Sequence, residues 1–157
     1  MLVFIDTEFT NFHNPKLISI GLASETGETF YAEIPYPSPE CSDFVKEVVA
    51  PLLGASPVDF CEADELRERL RTWLLLVKRH DEIEVGFDSE YDWRLFGEVF
   101  NNQPPSFCRG RNIGFYEVNE LLRYDFHRRS ERPEHHALND AEALRHSFRP
   151  RVSRVSS

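Results

Sequence analysis

The first strand-like segment of the chain is apolar on both of its faces, and this constrains the fold more than any other feature. Val3 and Ile5 point to one side of this segment, while Phe4, Asp6 and Glu8 point to the other. A strand that carries apolar side chains on both sides is buried on both sides. The segment therefore predicts a sheet with helices packed on it, in an α/β fold.

Turn and helix signals divide the rest of the chain into further strands and helices. Hydrophobic patterning predicts strands at 2–8, 17–24, 29–34 and 83–87, and helices at 42–53, 62–78, 92–100, 116–124 and 137–148. The first three strands are expected to form an antiparallel meander with a hairpin turn at residues 25–28. The fourth should lie parallel to one of them through a right-handed crossover.

Length and composition indicate one globular domain. The chain has 157 residues, of which 41% are apolar, enough to bury a core without disulfides or a structural metal. We expect a single domain over residues 1–148 and a flexible basic tail over residues 149–157. The longest aliphatic and aromatic run, residues 73–77, is far shorter than the roughly 20 residues of a membrane span, so no membrane contact is expected.

The cysteines and the N-terminus indicate the compartment. Cys41, Cys61 and Cys108 are odd in number and form neither a C-x-x-C pair nor a zinc spacing. The N-terminal apolar residues follow no basic leader and meet Asp6 at once, which is unlike a signal peptide. Both features predict a reducing, cytoplasmic setting.

The charge of the chain is strongly acidic and unevenly distributed. The net charge is −9, with −12 on residues 1–122 and +3 on residues 123–157. An acidic protein is poorly suited to a polyanionic partner. It can still act on nucleic acid if bound metal ions neutralise its acids at one site.

Four acids occupy positions where an unpaired charge would be costly. Asp6 and Glu8 end the buried first strand, Asp92 begins the apolar face of a helix, and Asp140 lies within the apolar stripe of the last helix. Taken singly, they have ordinary explanations, namely a polar strand end, a helix cap and a salt bridge to an inward-pointing Arg. Taken together, they suit a pair of oxygen-preferring cations such as Mg²⁺ or Mn²⁺.

Three short motifs carry a resemblance to a known family. Phe4–Phe9 (Phe-Ile-Asp-Thr-Glu-Phe) looks like the first motif of the DEDD 3′→5′ exonucleases, and Tyr91–Phe96 is similar to the second. His135–Ala141 matches the histidine form of the third motif, H-x-A-x-x-D. The chain thus resembles the DEDDh group, which includes proofreading exonuclease subunits, ribonuclease T and oligoribonuclease.

The resemblance spans nearly the whole chain and implies a fold and an activity. It implies a ribonuclease H-like fold with a mixed five-stranded sheet, an antiparallel meander plus parallel strands. The chain looks most like the small 3′→5′ exoribonucleases of the mycobacterial type, which implies a homodimer acting on RNA 3′ ends. One departure is Asp88, which stands where many members carry Asn, and it bears on substrate binding or on the metal site.

The resemblance also implies the roles of individual residues. Asp6, Glu8, Asp92 and Asp140 would hold two Mg²⁺ ions, for which Mn²⁺ may substitute, with Asp6 bridging both ions. His135 would act as general base, releasing 5′-nucleoside monophosphates. Its neighbour His136 would stay at a variable position of the motif. In isolation, both histidines would be taken for surface loop residues.

Further residues are candidates for holding RNA. Among the aromatic side chains, most of which are expected in the core, three lie next to the motifs and could stack on terminal bases: Phe9, Phe12 and Trp93. Arginines near the C-terminus could contact phosphates or simply keep the chain soluble: Arg145, Arg149, Arg151 and Arg154.

Three rival functions remain open at this point. A DNA-directed 3′→5′ exonuclease of the proofreading type would share the motifs, because RNA is told from DNA by contacts to the 2′-hydroxyl. A catalytically inactive nucleic-acid-binding module is opposed by the complete set of acids and the histidine. An endonuclease of the ribonuclease H type is opposed by the spacing between His135 and Asp140.

Overall fold

The first three strands form the antiparallel meander expected from the sequence. The computed structural model describes residues 1–150. Strand β1 (Leu2–Phe9) pairs with β2 (Leu17–Ser24), and β2 pairs with β3 (Thr29–Glu33), both antiparallel. Gly27, with φ of +109°, lies in the turn between β2 and β3, where glycine adopts a conformation that other residues avoid. The predicted hairpin is thereby confirmed.

Two later strands extend the sheet in the parallel direction. β4 (Ile83–Phe87) lies parallel to β1, and β5 (Cys108–Asn112) lies parallel to β4. Within residues 1–150, the five strands form one mixed sheet in the order β3-β2-β1-β4-β5. The carboxyl ends of β1, β4 and β5 consequently meet at one edge of the sheet. This is the mixed five-stranded α/β sheet expected from the sequence resemblance.

Helices cover both faces of the sheet. Their bounds are Ala63–Lys78 for α1, Glu90–Val99 for α2, Glu120–Ser130 for α3 and Ala137–Ser147 for α4. Val3 and Ile5 of β1 share an apolar cluster with α1 and α2, whereas Phe4 packs with Leu144 of α4 and with Phe148. The prediction that β1 is buried on both sides is confirmed.

The predicted helix at 42–53 is helical but irregular. A π-helical turn at Val45–Val49 is followed directly by a 3₁₀ turn at Ala50–Leu52. Pro51 lies inside this 3₁₀ turn, and a proline lacks the N–H that a regular α-helix would need there. Val45 and Val49 are buried, so part of the predicted apolar side does face the core.

The predicted helix at 116–124 begins later than expected. Asn119 caps α3, because its side-chain oxygen accepts hydrogen bonds from the N–H groups of Leu121 and Leu122. The residues before it form a separate 3₁₀ turn. In addition to Ala50–Leu52, the described 3₁₀ turns are Ser38–Glu40, Pro57–Asp59 and Phe115–Glu117.

The described part of the chain gives two further observations. No helix within residues 1–150 has both the length and the apolar content that a bilayer crossing requires. Most of the predicted basic tail, with Arg151 and Arg154, lies outside the described residues.

Candidate active site

Acidic side chains meet at the edge of the sheet where β1 and β4 end. Asp6 and Glu8 lie on the same face of β1, Asp88 follows β4, and Asp92 lies in the first turn of α2. Asp6, Glu8 and Asp140 each place a carboxylate oxygen within 4.8 Å of the others. Asp6, Asp88 and Asp92 form a second group of the same kind, so Asp6 belongs to both groups.

One carboxylate oxygen of Asp92 is held by hydrogen bonds, and the other has no partner among residues 1–150. Its side chain is 2% exposed. Its Oδ1 accepts hydrogen bonds from the N–H of Thr7 at 3.0 Å and from the hydroxyl of Thr7 at 2.6 Å. Its Oδ2 is buried and has no hydrogen-bond partner among residues 1–150. A buried carboxylate oxygen in this state needs a cation or a proton.

A close approach between α4 and β2 places Asp140 beside the acids of β1. Gly21 of β2 lies directly opposite Asp6 in the β1–β2 pairing. A Cβ atom on Gly21 would lie 2.4 Å from the backbone of Ala137, the first residue of α4, so glycine is needed here. Asp140, one turn into α4, accepts a hydrogen bond from the backbone N–H of His135 at 2.8 Å.

Burial and mutual repulsion change the protonation of these acids. Burial, followed by the charges of neighbouring acids, raises the pKa of Asp6 well above its ordinary value. The same causes raise the pKa of Glu8 to about 8. Burial also raises the pKa of Asp92 to about 7 and raises that of Asp140. Arg123 and His127 lower the pKa of some of these acids, but they offset the effect of burial only in part.

This donor set fits divalent cations that prefer oxygen ligands. Both groups consist of carboxylates, which Mg²⁺ and Mn²⁺ favour. The unpartnered Oδ2 of Asp92 and the raised pKa values of its neighbours mark the places where a cation would lower the energy of the site. Asp6, which is common to both groups, is placed to contact two ions.

The two adjacent histidines point in different directions. His135, whose backbone φ is +63°, lines the cleft with a side chain that is 45% exposed. Its ring lies edge-on to that of Phe44, with 5.0 Å between centroids. His136 instead stacks on Tyr31 at 4.5 Å, and burial lowers its pKa. Of the two, His135 is the one placed to reach a molecule in the cleft.

One polar face of α3 forms a wall of the cleft, and the sequence reasoning did not identify it. The residues on this face recur at the helical spacing i, i+3, i+4, i+7, and they are Glu120, Arg123, Tyr124 and His127. A polar stripe of helical period that contains Arg and His was the available signal. The predicted helix at 116–124 contains only part of this stripe, because it ends before His127.

Two residues of this face contact the acids of the site. His127 Nε2 lies 3.3 Å from Asp140 Oδ1, while His127 Nδ1 lies 2.9 Å from the carbonyl oxygen of Arg132. Because both ring nitrogens are engaged, His127 is placed to orient Asp140. Arg123 Nη1 lies 2.7 Å from Asp88 Oδ2. Within residues 1–150, the residues that line the cleft include one arginine, Arg123, and no lysine.

The cleft is large enough for a nucleotide and has an aromatic rim. Its volume is about 780 Å³, and both Phe9 and Phe12 line it. Phe9 stacks on Tyr91 with 5.2 Å between centroids, and Phe12 lies edge-on to both rings. Phe12 is 73% exposed. Exposed rings of this kind can stack on unpaired bases.

The structure does not bring Trp93 to the cleft, which corrects its expected contact with substrate. Its ring stacks on those of Phe87 and Phe96, at 5.9 and 5.4 Å between centroids. A Cβ atom on Gly110 would lie 2.7 Å from this ring. Successive helix residues point about 100° apart, so Trp93 turns into the core while Tyr91 joins the aromatic rim.

The described arginines near the C-terminus bind the protein's own backbone. Arg145 donates to the carbonyl oxygen of Ser24 at 3.3 Å. Arg149 donates to the carbonyl oxygens of His146 at 3.0 Å and Phe148 at 2.6 Å. Their suggested contact with phosphates stays a prediction.

The structure of this protein, unlike its sequence, is similar to those of known proteins. No protein-family model and no curated protein sequence matches the chain. The structure is similar to that of S. pombe Pop2p in its Mg²⁺- and Mn²⁺-bound form, with a TM-score of 0.58 and 17% identity over 92% of this chain and 79% of that chain. It is also similar to a 3′-exonuclease in a structure of 3′-end specific recognition of a histone mRNA stem-loop, with a TM-score of 0.59 and 16% identity over 92% and 77% of the two chains. These likenesses show a shared ribonuclease H-like fold.

Proposed function

We propose that the protein is a metal-dependent 3′→5′ exoribonuclease of the DEDDh type. The observation that carries the proposal is the convergence of Asp6, Glu8, Asp92 and Asp140 in two groups that share Asp6. The cleft-lining His135 supports it, as do the three sequence motifs. One structural neighbour binds Mg²⁺ and Mn²⁺, and another is a 3′-exonuclease that recognises an mRNA stem-loop.

Two Mg²⁺ ions, for which Mn²⁺ can substitute, would be held by these acids. Asp6, Glu8 and Asp140 would hold one ion, and Asp6 and Asp92 the other. When bound, such ions activate water and stabilise the leaving oxygen of a phosphodiester. The hydrogen bonds from Thr7 to Asp92, and from the His135 N–H to Asp140, orient two of the carboxylates in advance.

His135 is the residue that would move the proton. Imidazole changes its charge near neutral pH, which suits a general base. The ring would take one proton from the attacking water, whose oxygen forms the new bond to phosphorus. The bond from phosphorus to the 3′ oxygen breaks, and this oxygen takes up a proton from solvent water. The products are a nucleoside 5′-monophosphate and an RNA shortened by one residue that ends in a 3′-hydroxyl.

The aromatic rim would hold the unpaired 3′ end. Phe9 and Phe12 line the cleft, and stacking on bases is worth roughly 1–3 kcal/mol each without sequence preference. This favours single-stranded or overhanging RNA 3′ ends as substrates. The sequence resemblance to small exoribonucleases of the mycobacterial type extends the proposal to a homodimer in the cytoplasm.

Matched oligonucleotides test the substrate class. RNA and DNA of one sequence, each with a single-stranded 3′ end, are incubated with the protein and Mg²⁺, and the released products are identified by chromatography. We expect nucleoside 5′-monophosphates, with RNA degraded faster than DNA. Faster degradation of DNA would favour a proofreading-type exonuclease. Binding without release of nucleotides would favour an inactive binding module, and internal fragments an endonuclease.

A further inference from the structure

We propose that Asp88 is an additional metal ligand that completes the site of the second ion together with Asp6 and Asp92. We further propose that Arg123 pairs with Asp88 until that ion binds. This inference rests on the proposed function and goes beyond it, because there the second ion is held by Asp6 and Asp92 alone.

The position of Asp88 is set by the elements on either side of it. It directly follows Phe87, the last residue of β4, whose carbonyl oxygen accepts a hydrogen bond from the N–H of Ile113 at 2.8 Å. It directly precedes Ser89, the N-cap of α2, whose hydroxyl accepts a hydrogen bond from the N–H of Tyr91 at 3.3 Å. With the backbone held on both sides, Asp88 brings a carboxylate oxygen within 4.8 Å of those of Asp6 and Asp92.

The buried oxygen of Asp92 gives this group an unmet need for positive charge. Asp92 is 2% exposed, and its Oδ2 has no hydrogen-bond partner among residues 1–150. Thr7 satisfies Oδ1 only, and Arg123 bonds to Asp88 and leaves Oδ2 of Asp92 unpaired. A divalent cation between the three carboxylates would supply the positive charge that the Arg123 guanidinium does not bring to Oδ2 of Asp92.

The ion pair between Asp88 and Arg123 is suited to exchange. Its Nη1–Oδ2 distance is 2.7 Å, and about a quarter of each side chain is exposed. Because both side chains keep some access to water, a divalent ion with two positive charges can compete with the single charge of Arg123 for the Asp88 carboxylate. Arg123 would then remain on the cleft-lining face of α3, where an RNA phosphate can replace Asp88 as its partner.

Mn²⁺ binding without RNA tests the proposal by a readout other than cleavage. Stoichiometry and affinity are measured by electron paramagnetic resonance and calorimetry for the wild type, Asp88→Asn, Arg123→Gln and the double variant. Glu90→Gln is the matched control, because Glu90 lies two residues from Asp88 and bonds to Asn112. Thermal unfolding in EDTA verifies that each variant is folded.

We expect two Mn²⁺ ions in the wild type and in Glu90→Gln. Asp88→Asn should weaken the second ion by at least about 10-fold, both alone and in the Arg123→Gln background. Arg123→Gln, which leaves the acids in place, should tighten the second ion roughly 2- to 5-fold, as expected for removal of a partly exposed competitor. This variant keeps the proposal testable if Asp88→Asn does not fold.

Three results would overturn the inference. Two ions bound equally well by Asp88→Asn would remove the ligand role while leaving the proposed function intact. A loss caused by Asp88→Asn that disappears in the Arg123→Gln background would mean that Asp88 only neutralises Arg123. A wild type that binds no Mn²⁺ would contradict both the inference and the proposed function.

Discussion

At the scale of single residues, substitution of the two adjacent histidines, His135 and His136, should have very different effects on activity. His135→Ala should lower kcat by roughly 10²–10⁴-fold, the usual effect of losing a general base, while Mn²⁺ and RNA still bind. His136→Ala should stay within a few-fold of the wild type, because its ring stacks on Tyr31 away from the cleft. Single-turnover RNA cleavage measures both variants. The reverse order of damage would show that the base has been misassigned.

His127 is expected to orient the metal ligand Asp140, whereas His135 is expected to move a proton. His127→Ala removes the contact between Nε2 and Asp140, and loss of such a supporting contact typically lowers metal affinity by 10–100-fold. Mn²⁺ titration without RNA measures this loss. His80→Ala, at an exposed position after α1, serves as the control. Unchanged Mn²⁺ affinity in His127→Ala would exclude the orienting role.

Some of these site residues can be identified from the sequence, and others cannot. Asp6 and Glu8 were found by the two-residue period of a strand, and Asp140 by its place in an apolar stripe. Arg123 and His127 could not be found in this way, because α3 has no buried residue to mark its inner face. Their partners, Asp88 and Asp140, come from other elements, so only the folded chain shows these contacts.

At the scale of elements, the packing of α4 on β2 controls the geometry of the site. Gly21→Ala would force a Cβ atom to within 2.4 Å of the Ala137 backbone, displacing the helix that carries Asp140. We expect a loss of about 1–3 kcal/mol in the free energy of unfolding, together with weaker Mn²⁺ binding.

Urea unfolding and Mn²⁺ titration measure the two effects of Gly21→Ala. Gly97→Ala is the matched control, because the nearest atom to a new Cβ there is Asn102 Oδ1 at 3.9 Å. Alanine is also a better helix former than glycine. Equal stability and equal Mn²⁺ affinity in the two variants would show that the close approach does not matter.

The elements that patterning missed have specific physical features. β5 reads Cys-Arg-Gly-Arg-Asn and lies at the sheet edge, so it lacks the alternation of apolar side chains that marks a half-buried strand. The segment at 42–53 has helical apolar spacing, but Pro51 prevents a regular helix. Patterning predicts the strands β1, β2 and β4 well because most of their buried side chains are apolar.

At the scale of the whole molecule, the raised pKa values make stability depend on pH and metal. The folded state binds protons more tightly than the unfolded state at Glu8, with a pKa of about 8, and at Asp92, with a pKa of about 7. Their contribution to stability is fully present below pH of about 4 and is lost as pH rises through about 7 to 8. Mn²⁺ should restore stability most at the high end of this pH range.

Thermal unfolding at pH 5 and pH 8, in EDTA and in Mn²⁺, measures this dependence. The metal-free wild type should lose more stability between these pH values than Glu8→Gln, which cannot ionise at that position. The gain from Mn²⁺ should be larger at pH 8 than at pH 5, because protons compete with the ion. The same pH dependence in both proteins would show that ionisation of Glu8 does not destabilise the metal-free fold.

The proposed homodimer is a separate prediction about the whole molecule. Phe115 and Leu121 are 76% and 80% exposed, so the described chain has apolar surface to cover in an interface. Light scattering at micromolar concentration should give twice the mass of the chain, which is 18.4 kDa. A mass of one chain would rule out the dimer without affecting the proposed chemistry.

Carboxylates and divalent ions are proposed to act together in removing nucleotides from RNA 3′ ends. A time course of a 5′-labelled RNA with a 3′ overhang, run with Mg²⁺ and with EDTA, tests this proposal. With Mg²⁺, the wild type should produce a ladder that shortens stepwise from the 3′ end. EDTA should abolish cleavage, excess Mg²⁺ should restore it, and Asp6→Asn should show none. Full activity in EDTA, or undiminished activity in Asp6→Asn, would refute metal-dependent cleavage at these carboxylates.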